Sequence, residues 1–157
     1  MADTLHKAQA YGIATLNALG KVPADQIDLA ASDNVASVIS RTGAIDGTAL
    51  GATTLFTVPA AKKTVVLRVV IRLTAIVGGT GMAKCPKVSI GTNGAVYDDI
   101  FSDTRLTGLD ATTKIFVFHA EFTLHESDAA EVIKLIVNTA SNATTYTIEV
   151  DLIGYNH

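Results

Sequence analysis

The chain has 157 residues, 48% of them hydrophobic and 17% charged, with 12 Lys and Arg against 15 Asp and Glu for a net charge of -3. A globular chain of this length buries roughly 68–70% of the surface exposed by its unfolded form, so one core is possible without disulfide or metal support and a two-domain enzyme does not fit. A highly charged disordered chain is excluded as well, and the apolar excess predicts a surface shared with copies of the chain or with a partner.

In chain order, residues 4–19 place Leu5, Ala8, Gly12, Leu16 and Leu19 at three- and four-residue spacings. That stripe predicts a short helix, with Asp3 or Thr4 as its N-cap and Gly20 as its stop. From Lys21 to Gly51, single aliphatics (Val22, Ile27, Leu29, Val35, Val38, Ile39, Ile45, Leu50) sit among Asp, Ser, Thr, Ala and Gly without a lasting period. Such a stretch cannot bury a face by itself, and residues 1–50 read as an arm, a short helix and then an extended segment ordered by its neighbours. Residues 51–157 read as a β-domain. TLFTV before Pro59 is a short strand, and KTVVLRVVIRLTAIV is a long one. One parity of the long strand (Val65, Leu67, Val69, Ile71, Leu73, Ala75, Val77) is expected to be dry, and the other, with Arg68 and Arg72, mixed. KVSIG precedes an Asn93-Gly94 turn signal. In KIFVFHAEFTL, Phe116, Phe118, Ala120, Phe122 and Leu124 oppose Ile115, Val117, His119, Glu121 and Thr123. EVIKLIVN follows, and TTYTIEVDLIGY closes the chain with Tyr146, Ile148, Val150 and Leu152 inward. Strands at short spacings without intervening helical patterns predict an all-β antiparallel sandwich or jelly roll.

The basic residues are dispersed, Lys62 and Lys63 being the sole adjacent pair. A nucleic-acid footprint needs clustered positive charge, so no nucleic-acid partner is expected. Met1-Ala2-Asp3 opens no basic segment followed by an apolar core, so no signal peptide is expected. The longest apolar stretch, Val65 to Val77, is too short and too interrupted by arginine to span a bilayer, and no membrane partner is expected. A lone Cys85 forms no intrachain disulfide and points to folding in a reducing compartment.

Candidate chemistry is sparse, and no enzyme is expected. His119 and Glu121 share a strand face that would meet Arg68 and Arg72 across the sheet. They form either a base with its orienting carboxylate or a polar cross-strand ladder, and no nucleophile motif accompanies them. Cys85, between Lys84 and Lys87, reads as a small half-buried residue where a strand begins, although neighbouring cations lower thiol pKa values. Asp98, Asp99 and Asp103 form the candidate metal cluster, with calcium as the ion that such oxygens suit. It lacks EF-hand spacing, and Asp also caps ordinary turns. Gly78-Gly79-Thr80-Gly81 has the glycines of a phosphate loop without its GK[ST] ending, and reads as a hairpin tip. Asn142-Ala143-Thr144 matches a glycosylation acceptor in form. Tyr97, Tyr146 and Tyr155 are candidate sugar-stacking rings or core residues.

The segment LNALGKVPADQIDLA resembles one found in trimeric fibre and spike proteins of tailed bacteriophages, through Leu16, Asn17, Gly20, Lys21, Val22, Pro23, Gln26 and Ile27, with Asp28 where a proline is usual. Thr57-Val58-Pro59-Ala60, the strand Val65 to Leu73, Ser89-Ile90-Gly91-Thr92-Asn93 and Tyr97-Asp98-Asp99-Ile100 are similar to small β-sandwich virion proteins, among them head decoration (cement) proteins and head or tail fibre tips. The resemblance implies a virion protein made in the host cytoplasm, a homotrimeric capsid decoration protein that binds the major capsid protein or other virion proteins. The alternative is a fibre tip that recognises host surface glycans. It implies interaction residues in the arm (Leu16, Leu19, Val22, Pro23, Ile27, Leu29) and on the long strand (Arg68, Arg72), and no cofactor.

Overall fold

The structure, a computed structural model, describes residues 36–94, 96–119 and 125–157. Among them are nine strands: β1 (Ser37–Asp46), β2 (Gly51–Thr57), β3 (Thr64–Val77), β4 (Lys87–Gly91), β5 (Phe101–Arg105), β6 (Ile115–His119), β7 (His125–Ser127), β8 (Val132–Thr139) and β9 (Thr145–Asn156). They form two antiparallel sheets, one in the order β1-β9-β3-β6 with β7 also on β3, the other in the order β2-β8-β4-β5. Because β6 and β7 follow each other along the same flank of β3, they act as one interrupted strand. The order is then that of a jelly roll, with the chain crossing between sheets so that strands distant in sequence pair in the middle. The all-β sandwich expected from the alternation is the fold observed.

The core lies between the inner faces. Ile71 and Leu73 from β3, Val88 and Ile90 from β4, Ile133 and Leu135 from β8, and Tyr146, Ile148 and Leu152 from β9 are all at most 2% exposed. On β9 the expected alternation holds: Tyr146, Ile148, Val150 and Leu152 point inward. On β3 it holds only in the middle. Register shifts at Leu67, between Val66 and Arg68, and at Thr74, between Leu73 and Ala75, each insert a residue and invert the parity beyond it. Val66, Val69, Ile71 and Leu73 therefore belong to the core with Ile76 packed against it, whereas Leu67 is only half-buried and Val77 is exposed. Gly154 lies beside the first bulge, where a Cβ would come within 2.0 Å of the Val65 carbonyl oxygen.

Residues 37–46, read from the sequence as part of the arm, form β1 and pair along β9. Register shifts between Val38 and Ser40 and between Thr42 and Ile45 break the period-2 signal, and Ala44 sits at φ 57°. Ile45 is the one strand residue fully buried there, so little apolar pattern was available to read. The sandwich begins by Ser37 rather than at residue 51. The helix expected at 4–19, and Leu16, Leu19, Val22, Pro23, Ile27 and Leu29, lie outside the described residues. No helix among the described residues is long and apolar enough to cross a membrane.

Candidate interaction surface

The outward face of the β1-β9-β3-β6 sheet carries a compact ion cluster. Pairing sets Arg41 of β1 opposite Asp151 of β9, and Arg72 of β3 opposite Glu149 of β9. Arg41 donates to both Asp151 oxygens, Nε to Oδ1 at 2.8 Å and Nη2 to Oδ2 at 3.2 Å, and Arg72 Nη1 donates to Oδ2 at 2.5 Å. Glu149 stands 3.6 Å from Arg41 and 3.5 Å from Arg72. Although its parity points it away from the core, the Asp151 side chain is only 2% exposed, because the two guanidinium groups roof it over. The Arg41 hydrogen bonds outweigh the burial that opposes ionisation, and with help from Arg72 hold this carboxyl below its ordinary range.

Arg68 faces His119 across the β3–β6 pairing, as the sequence predicts, but Arg72 faces Ile115 and gives its charge to β9. Glu121 lies outside the described residues. The sequence contained Asp151 and Glu149 as outward residues of the last strand. Their partner Arg41 was hidden in a segment with no strand signal.

The three carboxylates do not converge on a common point. Asp99 accepts from Thr92 N at 2.7 Å and from Thr92 Oγ1 at 2.8 Å, Asp98 accepts from Asn93 Nδ2 at 2.6 Å, and Asp103 accepts from Lys87 Nζ at 2.6 Å and from Asn138 Nδ2 at 3.0 Å. The Lys87 contact is the chief reason that the Asp103 pKa is lowered. Among the described residues no three His, Cys, Asp or Glu side chains are placed to hold one metal ion. Asp98 and Asp99 instead fold the β4–β5 loop back on its strand, and Asp103, on β5, ties that strand to β4 and β8. Gly91 permits the loop to fold back, since a Cβ there would meet Asp99 Oδ1 at 1.7 Å and the Asp98 nitrogen at 2.8 Å.

The glycine-rich loop after β3 is tied down by Asn142, whose Oδ1 accepts from Thr80 N and whose Nδ2 donates to Thr80 O, both at 3.2 Å. Beside it lies an open depression of about 500 Å³ bordered by Lys84, Cys85, Thr107 and Asp110. Lys84 Nζ is occupied by the Asp110 carbonyl at 3.3 Å. Cys85 is buried, more deeply than expected, and its Sγ–H points at the Leu109 carbonyl, 3.7 Å away. The same carbonyl accepts the Tyr146 hydroxyl at 2.5 Å, and burial, the main cause, pushes the Tyr146 pKa far up. The tyrosines form no joint platform: Tyr146 is in the core, Tyr97 lies under Lys134 Nζ, and Tyr155 sits 6.0 Å from the His157 ring.

Part of the apolar surplus surfaces at the flank where β6 and β5 edge the two sheets, and among the described residues the rest is scattered over Val38, Leu50, Val77, Met82 and Val96. Phe116 and Phe118 pack edge-on against buried Phe101, with ring centroids 5.9 and 4.7 Å apart, but keep part of their rings open. On the opposite parity Ile115 is 60% and Val117 is 39% exposed. The signal was present in KIFVFH, which is apolar on both parities and so cannot bury all of its side chains in one core.

No protein-family model matches the chain, and no curated protein matches it. Two solved structures are similar to it. One is a chain of the acid-stable capsid structure of Helicobacter pylori bacteriophage KHP30, 14% identical, the match covering 78% of this chain and 92% of that one at a TM-score of 0.49. The other is a chain of the cyanophage Pam1 capsid asymmetric unit, 18% identical, covering 78% and 85% at a TM-score of 0.49.

Proposed function

We propose that this chain is a non-enzymatic structural protein of a phage virion, a homotrimeric capsid decoration protein that binds the shell and reinforces it. The observation that carries the reading is the way the sandwich uses its polar groups. Asp98 and Asp99 brace a loop, Asp103 ties β5 to β4 and β8, Asp151 and Glu149 hold arginines, the Tyr146 hydroxyl binds a core carbonyl, and the Cys85 thiol is buried. The outward surface includes an apolar flank along β6, which suits packing between proteins. The resemblance of the segment around Leu16 to Ile27 to phage fibre and spike segments supplies the virion context, and fold by itself does not. The arm is the part assigned to the capsid, and several weak contacts per trimer add by avidity.

The test is to remove residues 1–33, leaving β1 intact, and compare the product with the full chain in co-sedimentation with undecorated phage heads. A decoration protein predicts saturating binding by the full chain, and a folded, still trimeric truncation that no longer binds. A truncation that keeps binding host cells, with no head binding by either form, would favour the fibre-tip reading. Cutting at residue 50 instead deletes β1 and uncovers Asp151, so its failure would say nothing about the arm.

A further inference from the structure

We infer that β6 is a self-association edge that pairs antiparallel with β6 of a second copy, about a two-fold axis at Val117. The inference stands apart from the virion reading. Among the described residues, β6 has a hydrogen-bonded neighbour on one side only, β3. The other sheet edges are blunted by devices that discourage strand addition. β1 has two register shifts and the left-handed Ala44, β2 starts at Gly51 and shifts register between Thr54 and Phe56, and β5 carries Asp103 and Arg105. β6 has none of these: its five residues pair with Arg68 to Arg72 without a shift, and it contains no proline, lysine or acidic residue.

The strand also fits itself. Its sequence, Ile-Phe-Val-Phe-His, is nearly symmetric about Val117, and only the register centred there uses all five residues of both copies. Antiparallel pairing preserves the inward and outward parity. Phe116 then meets the second copy's Phe118 on the inner side, beside Phe101, while Val117 meets its own copy on the outer side. His119, flanked by Arg68, lies opposite the second copy's Ile115 rather than opposite another His119, and Arg72 behind that Ile115 is held by Asp151 and Glu149 three strand spacings from Arg68, so the axis brings no like charges face to face. Such a contact is isologous, as a two-fold requires. The apolar area it covers is on the order of a few hundred Å² per copy, below the roughly 800 Å² per partner of a stable free-standing complex. Two isolated copies therefore bind weakly through β6, and the contact becomes strong where other interfaces hold copies together.

The experiment uses the full chain carrying Val117→Cys, with Val77→Cys as the control, since Val77 is 59% exposed at the far end of β3 and the native Cys85 is buried. Opposed residues in either type of antiparallel pair are close enough for a disulfide. Under mild oxidation Val117→Cys should give linked pairs about tenfold faster than the control at equal concentration, by raised effective concentration. In the unmodified chain, amide-exchange protection of residues 116–118 should rise with concentration, and Val117→Lys should abolish that rise without changing the circular dichroism or the melting temperature. Equal cross-linking rates would overturn the inference. So would protection that is complete at every concentration, or that appears only when a different protein is added, because the edge would then be covered by something other than a second copy.

Discussion

Replacing Asp151 with Asn keeps the shape of the side chain and removes its charge, leaving Arg41 and Arg72 to share Glu149. Three charge-assisted hydrogen bonds are weakened at a site where the carboxylate is only 2% exposed. An uncompensated buried charge costs about 3–5 kcal/mol, but here the stranded groups are arginines whose side chains are 59% and 37% exposed, so water screens them. The loss should be nearer ~2 kcal/mol, the range of hydrogen bonds to charged groups. For a unit of about 120 residues that is roughly 8 °C in melting temperature. The pH dependence separates this cause from a packing defect. The folded Asp151 pKa is lowered, so its contribution is complete above the unfolded value of about 3.9 and is lost as pH falls through the folded value. Urea melts followed by circular dichroism, at fixed protein concentration, should show the full deficit of Asp151→Asn at pH 7 and a much smaller one once the native carboxyl is protonated. A deficit of the same size at both pH values would refute the electrostatic account.

Gly91→Ala should destabilise by about 2 kcal/mol, within the range for a lost loop anchor, because its Cβ occupies the place of Asp99 Oδ1 and of the loop backbone; thermal melts measure it, and a melting temperature equal to that of the native chain would contradict the loop geometry. Tyr146→Phe should lose about 1–2 kcal/mol, since the Leu109 carbonyl keeps only the weak Cys85 thiol as a side-chain donor; a neutral result in urea melts would mean that this hydroxyl bond adds nothing.

The sandwich was legible because most of its strands alternate over a two-sided core: β9 and β8 show their buried faces directly. Two elements were misread for local reasons. Bulges at Leu67 and Thr74 shift the buried set of β3, and no composition signal marks where an extra residue enters a long Val- and Ile-rich strand. β1 was missed because an edge strand with two register shifts has no regular buried face to display. The ion cluster followed from that miss, since Asp151 looks like an ordinary outward residue until Arg41 is placed beside it. The acidic loop was visible as a cluster, but spacing alone could not show that each carboxylate is turned to a different donor. The apolar flank was legible in principle, because KIFVFH has more apolar side chains than one face of a sheet can bury.

The proposal that this chain decorates a phage capsid is tested most directly by cryo-electron microscopy of phage particles assembled in cells that make it. A decoration role places the jelly roll at regular lattice positions over the shell, in three-fold clusters and in hundreds of copies per particle. Density for it at the tail or a single vertex, in a few copies, or its absence from the particle, would contradict it.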